Sequence, residues 1–311
     1  MKKHHAFTML ELIFVIVVMG IIGKFGVEFI AQAYNNFIHS KINNALQENS
    51  EYAVEFIAKR LQNRIKDSTI KKKANGTFKS ISDPYFLSAS DGQDYNILEW
   101  IGVDREGFRG NSDNTTTPVF NKPNWSGIID VTLGTSTKLV SPATSNNEIN
   151  KLIKILSYGN SDINDSAIYF IGSGGNVVDS FGWNGAVTDQ NQSIHPINSG
   201  NSDDEFISAL STDTTFSDVY EQYQLSWSAY AIVLKDYNNT SKTGNLVLYY
   251  NFQPWQGEDY NSINQNIQHA TIMPNVSSFR TTAIGSVIKV QVCVKSSLIE
   301  EYSICKEKTV L

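Results

Sequence analysis

Glu11 is the only charged residue in an apolar run from Phe7 to Gly23. A carboxylate costs roughly 2.5–3.5 kcal/mol at mid-bilayer and somewhat less nearer an interface, so one kept in such a run needs a partner or a purpose. Elsewhere the residues capable of chemistry are scattered. Cys293 and Cys305 can form a disulfide, but with no histidine nearby they make no zinc set. Of His4, His5, His39, His195 and His269, none belongs to a metal-ligand spacing, and His195 and His269 read as surface or turn residues. Neither a Gly-x-Ser-x-Gly elbow nor a Walker loop occurs. Gly172-Ser173-Gly174-Gly175-Asn176 precedes no helical pattern, so it reads as a turn and not as an anion cradle. Asp162, Asn164 and Asp165, and separately Asp203, Asp204 and Glu205, carry hard oxygen ligands of the kind calcium prefers. Neither group follows an EF-hand loop, both read as solvated loops, and no cofactor is expected beyond this calcium alternative. Asn164, Asn191 and Asn238 each follow an acid by two positions, the extended bacterial N-glycosylation pattern.

The elements that must position these residues follow from composition and spacing. With 311 residues, two cysteines and 41% hydrophobic residues, the chain is neither a disulfide-held miniprotein nor a disordered one, and it can bury one large core or two ordinary ones. A net charge of -6 gives no global attraction to nucleic acid or anionic lipid. Only one stretch is apolar enough to span a bilayer, which excludes a polytopic membrane protein. From Phe7 to Ile30 it has 24 residues, or about 36 Å of helix against a hydrocarbon core of roughly 30 Å. Lys2 and Lys3 precede it, which places residues beyond Ile30 in the periplasm or outside the cell. Gly20, Gly23 and Gly26, with Lys24 intruding, make a poor signal-peptide cleavage site. A plain signal anchor explains the span but leaves Glu11 without a purpose.

Apolar residues continue at Ile30, Tyr34, Ile38, Ile42, Leu46, Ala53, Phe56, Ile57, Leu61 and Ile65, and no proline precedes Pro84, so one helix is expected from Phe7 to about Lys66. Residues 7–30 form its membrane half and 31–70 its amphipathic half, with Glu55 and Lys59 as a favourable i,i+4 pair. Eight basic residues between Lys59 and Lys79 face Asp67 alone, and read as a solvated helix end or as a docking surface for an acidic neighbour. Contact with nucleic acid is the weaker reading, because the stretch lacks aromatic interleaving.

Residues 75–311 change to Asn, Ser, Thr, Asp and Gly between short β-branched runs, which gives an α+β chain: a long membrane-spanning helix ahead of a large antiparallel β-rich head. Strands are expected at 97–103, 127–133, 167–172, 229–235, 246–252 and 287–294, the fourth and fifth joined as a hairpin. Residues 151–156 fit a short helix as well as a strand. Ile288, Val290, Val292 and Val294 alternate with polar positions that include Cys293, and Tyr302 and Ile304 alternate with Cys305. The two cysteines can therefore meet across a hairpin, and an oxidising compartment favours their disulfide. Lys306 and Lys308 then fall on the apolar side, so the pairing is expected to be short or bulged.

Behind the basic leader 1–6 and ahead of the apolar span, Ala6-Phe7-Thr8-Met9-Leu10-Glu11-Leu12-Ile13 resembles the processing site of type IV prepilins. The resemblance implies that a prepilin peptidase cuts between Ala6 and Phe7 and methylates the new amine of Phe7. It also implies that Glu11, at the fifth mature position, is an assembly residue pairing with the N-terminal amine of a neighbouring subunit. Ala6 stands where the family usually has Gly, and Met9-Leu10 where Leu-Ile is commoner. A head this large is similar to those of minor pilins and of the larger pseudopilins of type II secretion, built on a long helix and two β-sheets. One large pseudopilin typically lacks that Glu, so its presence here argues against that identity. The implied partners are other pilin or pseudopilin subunits, the peptidase, an inner-membrane assembly platform and lipid, and no enzymatic activity is expected. The rival is a membrane-anchored periplasmic enzyme or carbohydrate-binding module, with Trp100, Trp125, Trp183, Trp227 and Trp255 as stacking platforms.

Overall fold

The computed structural model describes residues 8–87, 94–113, 120–210, 215–262, 267–297 and 302–311. It opens with one helix, α1 (Met9–Leu61). Its N-terminus is fixed by a capping box. The Thr8 hydroxyl accepts from the Glu11 N–H, and Glu11 Oε2 accepts from the Thr8 N–H at 2.9 Å. At the other end Lys59 and Arg60 complement the dipole, the Asn63 amide donates to the Lys59 carbonyl, and the helix stops one turn short of the expected Lys66.

The strands are β1 (Ile70–Lys72), β2 (Phe78–Ser80), β3 (Ile97–Ile101), β4 (Asn111–Asp113), β5 (Phe120–Lys122), β6 (Lys138–Val140), β7 (Ala167–Phe170) and β8 (Ile194–Ser199). They continue as β9 (Glu205–Ser208), β10 (Tyr223–Ser226), β11 (Ala229–Asn238), β12 (Thr243–Phe252), β13 (Gln268–Ile284), β14 (Val287–Lys295) and β15 (Ser303–Val310). Two short helices, α2 (Arg105–Arg109) and α3 (Asn146–Leu156), lie between them. Among the described residues the order β15-β14-β13-β12-β11-β3-β1-β2 makes a large sheet, β10-β7-β8-β9-β6 a smaller one, and β4 and β5 a separate ribbon. Pairing is antiparallel throughout these sheets, as expected of strands without long intervening helices.

Four layers result. On one face of the large sheet, Leu98, Trp100, Ile232, Leu246 and Leu248 pack with Val54, Ile57 and Leu61 of α1. On its other face Ile97, Ile101, Ala229 and Ala231 meet Ala167, Tyr169 and Ile194 of the smaller sheet. Beyond that sheet Ile168, Phe170 and Ile197 pack with Ile149 and Ile153 of α3. Strands β3 and β7 are buried on both faces, so their apolar runs are nearly unbroken.

Several expectations are corrected. Residues 127–133 form no strand, because the Asp130 carboxylate accepts from the N–H groups of Thr132 and Leu133 and curls the segment into a turn. Residues 151–156 are the end of α3, started by the Ser145 cap. Strand β13, with no counterpart in the sequence reading, carries Pro274 and a positive φ at Asn275 where its registers with β12 and β14 shift. The β14–β15 pairing is neither short nor bulged: eight residue pairs run in continuous register from Ile288–Val310 to Lys295–Ser303. The basic stretch is not simply a solvated helix end, since Arg64, Lys71 and Lys72 are buried. Burial brings the Lys71 ammonium down to about 8, and its Nζ lies 4.2 Å from the centre of the Phe86 ring and donates to the Thr281 carbonyl.

Candidate functional site

Among the described residues, the first part of α1 presents the longest run of apolar side chains that the rest of the chain leaves uncovered. No residue from Met9 to Ala45 is buried, and Met9, Leu10, Phe14, Phe25, Phe29 and Phe37 stand open to the surroundings. At 1.5 Å per residue this arm is about 55 Å long, and its beginning is apolar enough to cross a membrane. Glu11 sits at its tip, held by the Thr8 N–H and hydroxyl. This reduces the cost of its place in an apolar run, because the carboxylate keeps two donors wherever the helix goes. The Thr8-x-x-Glu11 spacing is a capping-box signature readable from the sequence alone. Further along, Lys24 and Glu28 pair across one turn at 3.9 Å. Ala6 and Phe7, the residues flanking the expected cut, lie outside the described residues.

The second part of α1 is seated on β14 and β15, with a lesser contact to β13. Ala53, Val54, Ile57 and Leu61 are fully buried there, each contributing about 1.5–3 kcal/mol where the side chain is large. Lys306 and Lys308, which the hairpin turns toward the apolar side, solve that placement by reaching the helix. Lys306 pairs with Glu51 at 3.3 Å and Lys308 pairs with Glu55. The Lys308 hydrogen bond holds the Glu55 carboxyl below its ordinary range, and the charge of the expected partner Lys59 adds to this as a smaller contribution. Beneath the helix end, the buried Arg64 donates to the Leu61 and Ser286 carbonyls, both at 2.7 Å. Cys293 and Cys305 are directly opposed on β14 and β15 and form a disulfide that closes the strand pair carrying the helix.

The remaining candidates serve the fold. Asp162 and Asp165 form a reciprocal cap around a short 3-10 turn, and Asp203 accepts from the Ser145 hydroxyl and the Asn147 N–H at the start of α3. Glu205 pairs with Lys138 at 2.8 Å. Among the described residues no three His, Cys, Asp or Glu side chains converge to hold a metal. His195 is not a surface histidine. It lies in β8 beside Phe170 and Phe216, its Nδ1 2.8 Å from Gln190 Oε1, and burial brings it down to about 4. Trp100, Trp125, Trp227 and Trp255 are buried, and Trp183 donates to the Ser68 carbonyl at 2.9 Å, so the tryptophans line the cores and not an open platform. Asp104 caps α2 and accepts from the Trp125 indole, and burial raises it to about 6.

No family model, curated protein or solved structure matches this chain.

Proposed function

We propose that this protein is a pilin-like filament subunit, a minor pilin or a type II secretion pseudopilin, that acts by assembling and not by catalysis. The observation that carries the reading is a single helix serving two environments. None of its first 37 residues from Met9 is buried, with head contacts beginning only near Ile42 and Asn43, while from Leu46 onward it completes the core of a large head. An anchor needs only the span. A rigid arm continuous with the head fits a subunit whose head must be carried at a fixed distance from the assembly. In this reading the arm parks the subunit in the inner membrane, with the head in the periplasm or on an extracellular filament. A prepilin peptidase cuts between Ala6 and Phe7 and methylates the new amine. Glu11 registers the subunit against its neighbours, and an assembly platform extrudes the filament.

Glu11→Ala is expected to leave the protein in the membrane fraction while its incorporation into filaments falls. Normal incorporation of the variant counts against the reading. So does a full-length, unmethylated N-terminus on the protein recovered from cells. The extracellular protein profile of a deletion strain separates the two machines. Exported enzymes held in the periplasm identify a secretion pseudopilin, and an unchanged profile identifies a pilus or DNA-uptake subunit.

A further inference from the structure

The layer between the two sheets is built on apolar residues such as Ile97, Ile101, Ala167 and Ala231, and a carboxyl group stands among them. Glu99 on β3, flanked by Ile97 and Ile101, is 1% exposed and faces this layer. Its Oε1 lies 3.6 Å from the Nζ of Lys72 on the neighbouring strand β1 and has no hydrogen-bond partner. Lys72 is buried too, and its Nζ donates to Oδ2 of Asp259, in the segment that follows β12. The other oxygen, Asp259 Oδ1, is buried without a partner. The Tyr260 ring centre is 5.6 Å from Nζ, and Tyr249 packs on Tyr260, so aromatic rings cover one side of the group.

Read as an ion pair, this arrangement is a poor one. Two carboxylates share one ammonium in a low-dielectric layer, and each keeps an oxygen that no donor reaches, which costs several kcal/mol per uncompensated group. As a set of reactants it is well ordered. An amine touches a carboxyl group, a second carboxyl stands beside the amine, and water is excluded from the amine side.

We propose that Lys72 and Asp259 are joined by an intramolecular amide that the folded head forms by itself, with Glu99 relaying the protons. The Lys72 ammonium gives one proton to Glu99, which passes it to the Asp259 carboxylate. The freed nitrogen lone pair then forms the C–N bond to Asp259 Cγ. A second proton leaves nitrogen by the same route, the C–O bond breaks, and one water departs through the side of Asp259 that remains about one-third exposed. Glu99 ends as it began, and no oxidant or other reactant is required. Burial pushes Glu99 up to about 8, which suits a group that must take and give a proton near neutral pH. Holding amine and carboxyl in contact supplies the effective concentration that the condensation lacks in water. The bond removes the buried Lys72 charge together with that of the part-buried Asp259, and it ties β1, which lies shortly after α1, to a segment 187 residues away. It does not depend on the filament reading.

Mass spectrometry of the full chain, extracted in detergent and reduced, tests the idea. The folded parent is expected to weigh about 18 Da less than the sum of its residues. A proteolytic map should place that loss on one branched peptide containing residues 72 and 259, with trypsin unable to cut after Lys72. Lys72→Arg keeps the charge but cannot condense in this way, and Asp259→Ala removes the acceptor, so both should show the full mass. Glu99→Gln should show it as well. A folded parent at its full mass overturns the proposal, as does a deficit confined to a single linear peptide, the mark of a cyclic imide. An undiminished deficit in Glu99→Gln overturns the relay.

Discussion

His195 makes the stability of the head depend on acid in a way that can be calculated. Its ordinary value of 6.5 falls to about 4 in the folded chain because the ring is buried between Phe170 and Phe216. Below pH 6.5 the unfolded chain takes up a proton that the folded one refuses, so stability is complete above 6.5 and is lost as pH falls toward 4. The linkage gives a loss of about 2 kcal/mol between pH 7 and pH 5, and about 3 kcal/mol by pH 4. Glu99 and Asp104 act in the opposite direction, since burial raises both, and they gain stability as pH falls through about 8 and about 6 respectively. The slope of the parent alone therefore mixes opposing terms. The difference between the parent and His195→Asn isolates one, because Asn keeps a donor for Gln190 Oε1 and cannot titrate. Urea unfolding of the full chain in detergent, followed by tryptophan fluorescence at pH 7, 6, 5 and 4, measures it. The variant starts lower because a smaller side chain leaves a void, and the gap should close by about 2 kcal/mol at pH 5. Parallel curves for parent and variant would refute the argument.

Two further perturbations test the helix seat. Arg64→Met removes the donors that hold the Leu61 and Ser286 carbonyls and should lower unfolding free energy by about 2–3 kcal/mol in the same titration. The Cys293→Ser, Cys305→Ser double variant opens a link between residues 12 apart and should cost about 3 kcal/mol, a loss that reducing agent reproduces in the parent and does not increase in the variant.

The sequence was most legible where one period runs unopposed. The stripe from Ile30 to Leu61 announces α1, and the alternation of Ile288, Val290, Val292 and Val294 announces β14 and the place of its cysteine. Strand β13 was hidden because Pro274 and Asn275 look like breakers, and only the register shift around them lets the strand continue. Lys72, Glu99 and Asp259 were invisible as a group, since β1 is three residues long and its lysines carry no pattern that distinguishes a buried strand from a solvated loop. The burial of His195 is hidden for a related reason: β8 contains Pro196, which masks a strand whose first four residues are buried.

The seating of α1 on β14 and β15 also sets the order in which the molecule can mature. The helix is made first, but the surface it needs arrives much later: Glu55 waits for Lys308, 253 residues downstream. Until then Ala53, Val54, Ile57 and Leu61 present an apolar stripe without the two strands on which it is chiefly seated. Contacts so distant in sequence form slowly. Truncation before β14 is therefore expected to leave that stripe open, which faster proteolysis within the second part of α1 would report.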